Sequence, residues 1–74
     1  KMETLDLRGV KCPTNFVKTR LKLDKMAAGD QLTVLLDAGE PVESVSSSVV
    51  SEGHVIENSD WQESGHYKVV IRRS

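Results

Sequence analysis

Five glycines and two prolines divide this 74-residue chain into segments no longer than a single strand or a short helix. Glycine is favoured where a helix ends or the backbone turns sharply, and proline is favoured in the first turn of a helix. We therefore predict one small domain over residues 1–74, in which Lys1 and Met2 are interpreted as an added or trimmed terminus. The dividing residues are Gly9, Pro13, Gly29, Gly39, Pro41, Gly53 and Gly65.

Four of the segments have the hydrophobic pattern of β-strands. Leu5 and Leu7 alternate with polar residues, as in a strand with one buried face. Residues 32–36 are almost continuously apolar, which is typical of a strand in the middle of a sheet. Residues 54–58 and 67–71 have the pattern of two further strands joined by a hairpin.

Two segments have the pattern of helices, one from Pro13 to a glycine cap at Gly29 and one from Pro41 to Gly53. The predicted order is therefore βαβαββ, and a right-handed crossover makes the first two strands parallel. We expect an α/β fold: a two-layer α/β sandwich with a mixed four-stranded sheet and two helices on one face. The other face of the sheet is expected to be largely exposed.

The first predicted helix is amphipathic, with an apolar stripe opposite a face of lysines. The apolar stripe consists of Phe16, Leu23 and Ala27, with Val17 and Leu21 beside it. The lysine face consists of Lys18, Lys22 and Lys25. Two interpretations of these lysines stay open: a solvated surface, or a docking site for an acidic partner. Arg20 is predicted to pair with Asp24 or to reach the rim of the sheet.

Composition and charge exclude several classes of function. The net charge is −1 and aromatic residues make up 4% of the chain, so no stacking platform for nucleic acid is expected. No apolar run exceeds three residues, far fewer than the ~18 that span a bilayer. A lone cysteine and the lack of a recognisable export signal suggest a cytoplasmic protein. One cysteine with two distant histidines predicts neither a metal site nor a disulfide.

The lone cysteine, Cys12, is the main candidate for chemistry. We predict that it caps the first helix, immediately before Pro13 in the first helical position. The N–H groups of Thr14 and Asn15 would then donate to the sulfur, and the helix dipole would favour the nucleophilic thiolate. Arg8 and Lys11 would add positive potential. The alternative is a small buried hydrophobe, which a junction between loop and helix disfavours.

The reaction class follows partly by exclusion. The sequence has no C-x-x-C motif, and His54 and His66 are expected to be ordinary residues at strand ends. A domain of this size offers little substrate pocket. These observations favour a carrier, whose thiolate takes a group from one protein and passes it to another. A redox-sensing thiol and a noncatalytic regulatory or adaptor domain remain as alternatives, the latter binding through the exposed sheet face or the lysine helix.

The run from Leu5 to Pro13, LDLRGVKCP, resembles the L-D-x-R-G-x-x-C-P motif of the TusA/SirA-like family of small sulfur carriers. The resemblance covers essentially the whole chain and implies sulfurtransferase activity through a persulfide on Cys12. It implies a donor of the cysteine desulfurase or rhodanese type and an acceptor protein in tRNA thiolation, molybdenum-cofactor or other sulfur metabolism. No cofactor beyond the carried sulfur is implied.

The family's usual motif is C-P-x-P, whereas this chain has C-P-x-N, with Asn15 in the last position. Because asparagine has the N–H that proline lacks, we predict one additional hydrogen bond to the sulfur. The turn at Asp37, Gly39, Glu40 and Pro41 is expected at the same sheet edge as the cysteine, although its acids also suit a helix start. Trp61 is interpreted as a packing residue at the sheet edge, with a hot spot for a partner as the alternative. We expect a monomer or a weak dimer.

Overall fold

The computed structural model describes residues 1–74 and contains six elements in the order βαβαββ. The strands are β1 (Met2–Asp6), β2 (Gln31–Asp37), β3 (Val55–Gln62) and β4 (His66–Arg72). The helices are α1 (Thr14–Asp24) and α2 (Glu40–Ser51). The predicted element order is confirmed.

The four strands form one mixed sheet in the order β1-β2-β4-β3. β1 is parallel to β2, as the crossover through α1 requires, while β4 is antiparallel to both β2 and β3. β2 and β4 therefore occupy the centre, which explains why the most apolar strand segment of the chain lies in β2. β3 is longer than predicted because it pairs with β4 as far as Gln62, past an irregularity between Ile56 and Asn58.

Both helices cover the same face of the sheet. The register aligns Glu3 with Leu32 and Leu32 with Ile71, so these side chains share one face. Lys22 of α1 reaches Glu3 on that face, with 2.7 Å between Nζ and Oε1. The hydrophobic core consists of Leu7, Leu23, Met26, Leu32, Val34, Leu36, Val42, Val45, Val49, Val69 and Ile71.

The opposite face of the sheet carries no helix. On it, the carboxylate of Glu57 accepts hydrogen bonds from Gln31 Nε2 at 2.6 Å and from Arg72 Nε at 3.1 Å. Lys68 and Asp60 pair across β4 and β3 on the same face and are exposed. The predicted two-layer α/β sandwich is therefore confirmed. No helix of the domain is both long and apolar enough to cross a membrane.

The predicted apolar stripe of α1 is confirmed in part, because Leu23 is buried and Phe16 packs against the core. Asn15, Thr19 and Leu23 are fully buried at a spacing of four residues, whereas Val17 and Leu21 are 47% and 56% exposed. The buried polar groups are satisfied locally, since Thr19 Oγ1 donates to the carbonyl of Asn15 at 2.9 Å. Hydrogen bonding therefore allows this helix to bury polar residues while two apolar residues face solvent.

α1 also ends earlier than predicted. The last helical residue is Asp24, and the N–H groups of Lys25 and Met26 bond to carbonyls three residues earlier, which tightens the final turn. Gly29, predicted as the helix cap, instead adopts φ +88° and donates its N–H to the Arg73 carbonyl at 2.8 Å. Its conformational freedom thus serves the entry into β2, and Ala27 lies outside the helix.

Candidate functional site

The loop that carries Cys12 joins β1 to α1 and is anchored to the sheet at several points. Leu7 N–H donates to the Leu35 carbonyl at 2.9 Å, which continues the pairing of β1 with β2. Gly9, at φ +78°, donates its N–H to Asp37 Oδ2 at 2.7 Å. Asp37 ends β2, so the predicted proximity of the acidic turn to the cysteine loop is confirmed.

Asn15 holds the other end of this loop with its buried side chain. Its Nδ2 donates to the Val10 carbonyl at 3.4 Å, and its Oδ1 accepts the Phe16 N–H at 2.7 Å. The side chain thus connects the loop before Cys12 with the first turn of α1. No proline could make these contacts, so the asparagine in the C-P-x-N motif has a structural role in positioning the cysteine loop.

Cys12 itself is exposed and its thiol is free, but it is not the helix cap. The N-cap is Pro13, and α1 begins at Thr14. The Asn15 N–H donates to the Lys11 carbonyl at 3.1 Å, and the Val17 N–H donates to the Pro13 carbonyl at 3.0 Å. Because the loop carbonyls take these donors, the predicted hydrogen bond from the Asn15 N–H to the sulfur is wrong.

The hydrogen-bonding neighbour of the sulfur is Ser44, which the sequence analysis missed. Its Oγ lies 3.8 Å from Cys12 Sγ, at the length of a hydrogen bond to sulfur, and either atom could donate. When the sulfur is a thiolate, the hydroxyl must be the donor. Ser44 lies 32 residues away on α2, within a serine-rich run, so only the packing of α2 beside α1 distinguishes it from its neighbours.

The charges near the loop are partly compensated. Arg8 donates from Nε and Nη2 to the carboxylate of Asp6 at 2.9 and 2.7 Å, and the Arg8 N–H donates to the same group at 3.1 Å. The guanidinium and backbone hydrogen bonds lower the pKa of Asp6 to about 2. The predicted positive potential of Arg8 is therefore largely neutralised, whereas Lys11 is exposed and forms no ion pair.

The lysines of α1 do not form one uniform face. Lys22 is paired with Glu3, and this contact lowers the pKa of the Glu3 carboxyl. Lys18 and Lys25 are exposed and form no ion pair. Arg20 pairs with Glu52 of α2, with 3.6 Å between Nε and Oε1, rather than with the predicted Asp24. The partner lies on the neighbouring helix, which sequence spacing along α1 cannot indicate.

Both histidines are used away from the sulfur. His54 Nδ1 accepts the N–H of Ser74 at 3.1 Å, and the buried His66 places Nδ1 3.0 Å from Ser64 Oγ. The predicted strand-end roles are thereby confirmed. Trp61 lies on the edge strand β3 with its ring edge-to-face against Tyr67, at a centroid distance of 5.3 Å. It packs as predicted, although 55% of it is exposed.

The arrangement can support nucleophilic chemistry at one sulfur. It offers an exposed thiol, a neighbouring hydroxyl and a loop anchored at both ends. No basic side chain is hydrogen-bonded to the thiol. No group of three or more His, Cys, Asp or Glu side chains is arranged to hold a metal ion. The model of the sulfurtransferase TusA family matches residues 3–73, from β1 through β4. This chain belongs to the TusA family.

Similar proteins are found in distant organisms. A relative in Archaeoglobus fulgidus, named "Putative sulfur carrier protein", is 35% identical over 71 residues, covering 96% of this chain and 81% of the relative. Two relatives with the same description, from Neisseria meningitidis serogroups A and B, are each 33% identical over 70 residues. The matches cover 95% of this chain and 93% of each relative.

Membership of the TusA family makes this chain one of a family of sulfur carriers. A carrier exchanges sulfur with a donor and an acceptor, so both kinds of partner are implied in general terms. The family match includes the loop of Cys12 and both helices, which means that the whole site described above lies within it.

Proposed function

We propose that this chain accepts sulfane sulfur as a persulfide on Cys12 and passes it to an acceptor protein. The observation that carries the proposal is the exposed Cys12 on a loop anchored to the sheet through Asp37 and to α1 through Asn15, in a chain of the TusA family. A carried group must be reachable by two partners in turn. An exposed sulfur can be reached by both partners, and the anchored loop holds it in one position.

The loading step is a thiol exchange and needs no oxidant. The Cys12 thiolate attacks the outer sulfur of a cysteine persulfide on the donor. A new S–S bond forms to Cys12 while the S–S bond of the donor breaks, and the donor cysteine leaves as a thiolate with the electron pair. The proton on the outer sulfur stays on that sulfur and is transferred with it to Cys12. Delivery is a second exchange of the same type: the acceptor is the nucleophile that attacks the outer sulfur, and Cys12 leaves as a thiolate.

Ser44 is placed to assist this exchange. Its hydroxyl, 3.8 Å from Sγ, would donate to the thiolate before the reaction and would turn toward either sulfur of the persulfide afterwards. Lys11 would add positive potential that favours an anionic sulfur. Thr14 and Pro13 would act only by forming the start of α1. The sulfur donor would be of the cysteine desulfurase or rhodanese type.

The test is intact-protein mass spectrometry of reduced chain after incubation with a cysteine desulfurase and cysteine, and separately with a rhodanese and thiosulfate. The expected result is a gain of one sulfur atom that a reductant removes and that Cys12→Ser lacks. If neither protein donor nor inorganic polysulfide adds sulfur to the chain, the proposal is wrong. The adaptor interpretation would then lead, since it requires no reaction at Cys12.

A further inference from the structure

A groove lies on the outer surface between α1 and β1. Leu5 of β1 and Leu21 of α1 form its apolar floor, and lysines form its rim; its volume is about 260 Å³. The rim residues are Lys18, Lys22 and Lys25. Val17 precedes Leu21 by one turn and is also exposed, so the apolar strip continues toward the start of the helix.

This surface is unusual because the same helix buries polar residues. α1 turns Asn15 and Thr19 into the core while Val17 and Leu21 remain about half exposed. Neither of these two side chains contributes to the core, so the stability of the domain does not explain them. An exposed apolar strip with a charged rim is the usual composition of a protein interaction site.

The charges of the rim determine what kind of partner fits. Glu3 compensates Lys22, but Lys18 and Lys25 have no acidic partner. The matching surface therefore carries an apolar side chain flanked by carboxylates. Charge complementarity of this kind increases the rate of association, and added salt reduces this increase.

The position of the groove relates it to the reactive sulfur. Leu21 lies seven residues, or ~10 Å along the helix axis, from Thr14, where α1 begins after Cys12 and Pro13. A protein seated on the groove would extend over the start of α1. For loading, the reactive cysteine of such a protein must extend along α1 to the exposed Cys12.

We propose that this groove docks the sulfur-donor protein, through an apolar side chain that contacts Leu5 and Leu21 and acidic residues that contact Lys18 and Lys25. The proposal rests on the proposed function, because it assigns the surface on which loading takes place. It makes Leu21 and Lys18 determinants of donor recognition and leaves the chemistry at Cys12 unchanged.

Matched variants separate docking from chemistry. Leu21→Asp tests the apolar floor, and Val50→Asp is its control, because Val50 is 55% exposed on α2 against 56% for Leu21. Lys18→Glu tests the rim, and Lys68→Glu on the open sheet face is its control. Thermal unfolding confirms that each variant is folded. The donor is whichever protein, desulfurase with cysteine or rhodanese with thiosulfate, loads the unchanged chain.

The measured quantity is the initial rate of sulfur loading as a function of the concentration of the donor protein. We expect Leu21→Asp to lower the rate at subsaturating concentrations by ~10-fold or more and Lys18→Glu by several-fold, with the salt dependence reduced in Lys18→Glu. Rates at saturation, the reaction with inorganic polysulfide and both control variants should be unchanged.

The outcomes distinguish the two proposals. Equal loading of all four variants, or equal losses in the controls, contradicts docking in the groove. Loading by polysulfide but by neither protein donor also contradicts it, while Cys12 remains a sulfur acceptor. A chain that neither protein donor nor polysulfide can load refutes the proposed function and the docking proposal with it. If light scattering shows a dimer of the unchanged chain that Leu21→Asp dissociates, a second copy occupies the groove instead.

Discussion

The two helices of this domain pack on the same face of the sheet but bury different kinds of residues. α2 buries Val42, Val45 and Val49 and exposes mainly polar residues, as expected for an amphipathic helix. α1 buries Asn15 and Thr19 and leaves apolar side chains in solvent. The comparison shows that hydrogen bonding can replace hydrophobic burial where a helix holds the cysteine loop.

The difference between the helices separates stability from function within α1. Leu23 connects α1 to the core, whereas Leu21, two residues earlier, is available to a partner. Asn15 lies between the helix and the cysteine loop and contributes to both. Each of the following predictions tests one part of this division.

Leu23→Ala is expected to have the largest effect. It removes a fully buried side chain and should decrease the free energy of unfolding by ~2–5 kcal/mol. Leu21→Ala removes the same atoms from an exposed position and should change it by less than ~0.5 kcal/mol. Urea unfolding of both variants measures the difference. Similar losses in the two variants would show that Leu21 packs in the core.

Asn15→Ala is expected to decrease the free energy of unfolding by ~1–3 kcal/mol. The Val10 carbonyl and the Phe16 N–H would lose their partner in a partly buried place. Asn58→Ala, at an exposed position of β3, is the matched control and should lie within ~0.5 kcal/mol of the unchanged chain. Hydrogen exchange should also become faster at Phe16. Unchanged stability and exchange would refute the clamping role of Asn15.

Ser44→Ala should slow alkylation of Cys12 by ~2–10-fold at neutral pH, because a hydroxyl that donates to the thiolate is worth ~0.5–1.5 kcal/mol. Ser48→Ala removes the same group one turn further along α2 and should leave the rate unchanged. Iodoacetamide kinetics under pseudo-first-order conditions give both values. Equal rates in the two variants would mean that Ser44 does not act on the sulfur.

The smallest effect concerns the charges beside the loop. The Asp6 carboxyl should titrate near pH 2 in carbon-detected NMR, and Arg8→Ala should return it toward the ordinary pKa of 3.8. Because the pKa is lower in the folded state, the stabilisation is complete above the ordinary value and is lost as the pH falls through about 2. A midpoint near 3.8 in the unchanged chain would show that the ion pair does not persist in solution.

The element order and topology could be predicted from the sequence because local signals determine them. Glycines lie at the turns, prolines lie at the helix starts, and the apolar run in β2 indicates the central strand. The parallel pairing of β1 and β2 then follows from the general handedness of crossovers. The family motif around Cys12 likewise lies in consecutive residues and needs no knowledge of tertiary contacts.

The features that the sequence analysis missed depend on contacts between distant residues. Hydrophobic periodicity placed Val17 and Leu21 beside the apolar stripe and did not indicate the burial of Asn15 and Thr19, which hydrogen bonding allows. Ser44 acquires its place beside the sulfur only through the packing of α2 against α1. Such pairs leave no trace in the spacing of residues along one helix.

The central claim is that Cys12 holds sulfur that can be handed on, and release of that sulfur tests it most directly. Chain loaded with sulfane sulfur is separated from its donor and treated with cyanide, which takes the outer sulfur and leaves as thiocyanate. The account predicts one thiocyanate per loaded chain, a return to the mass of the unloaded protein, and no thiocyanate from Cys12→Ser. An oxidised thiol would give no thiocyanate, and this result, or sulfur that stays on the protein, would contradict the account.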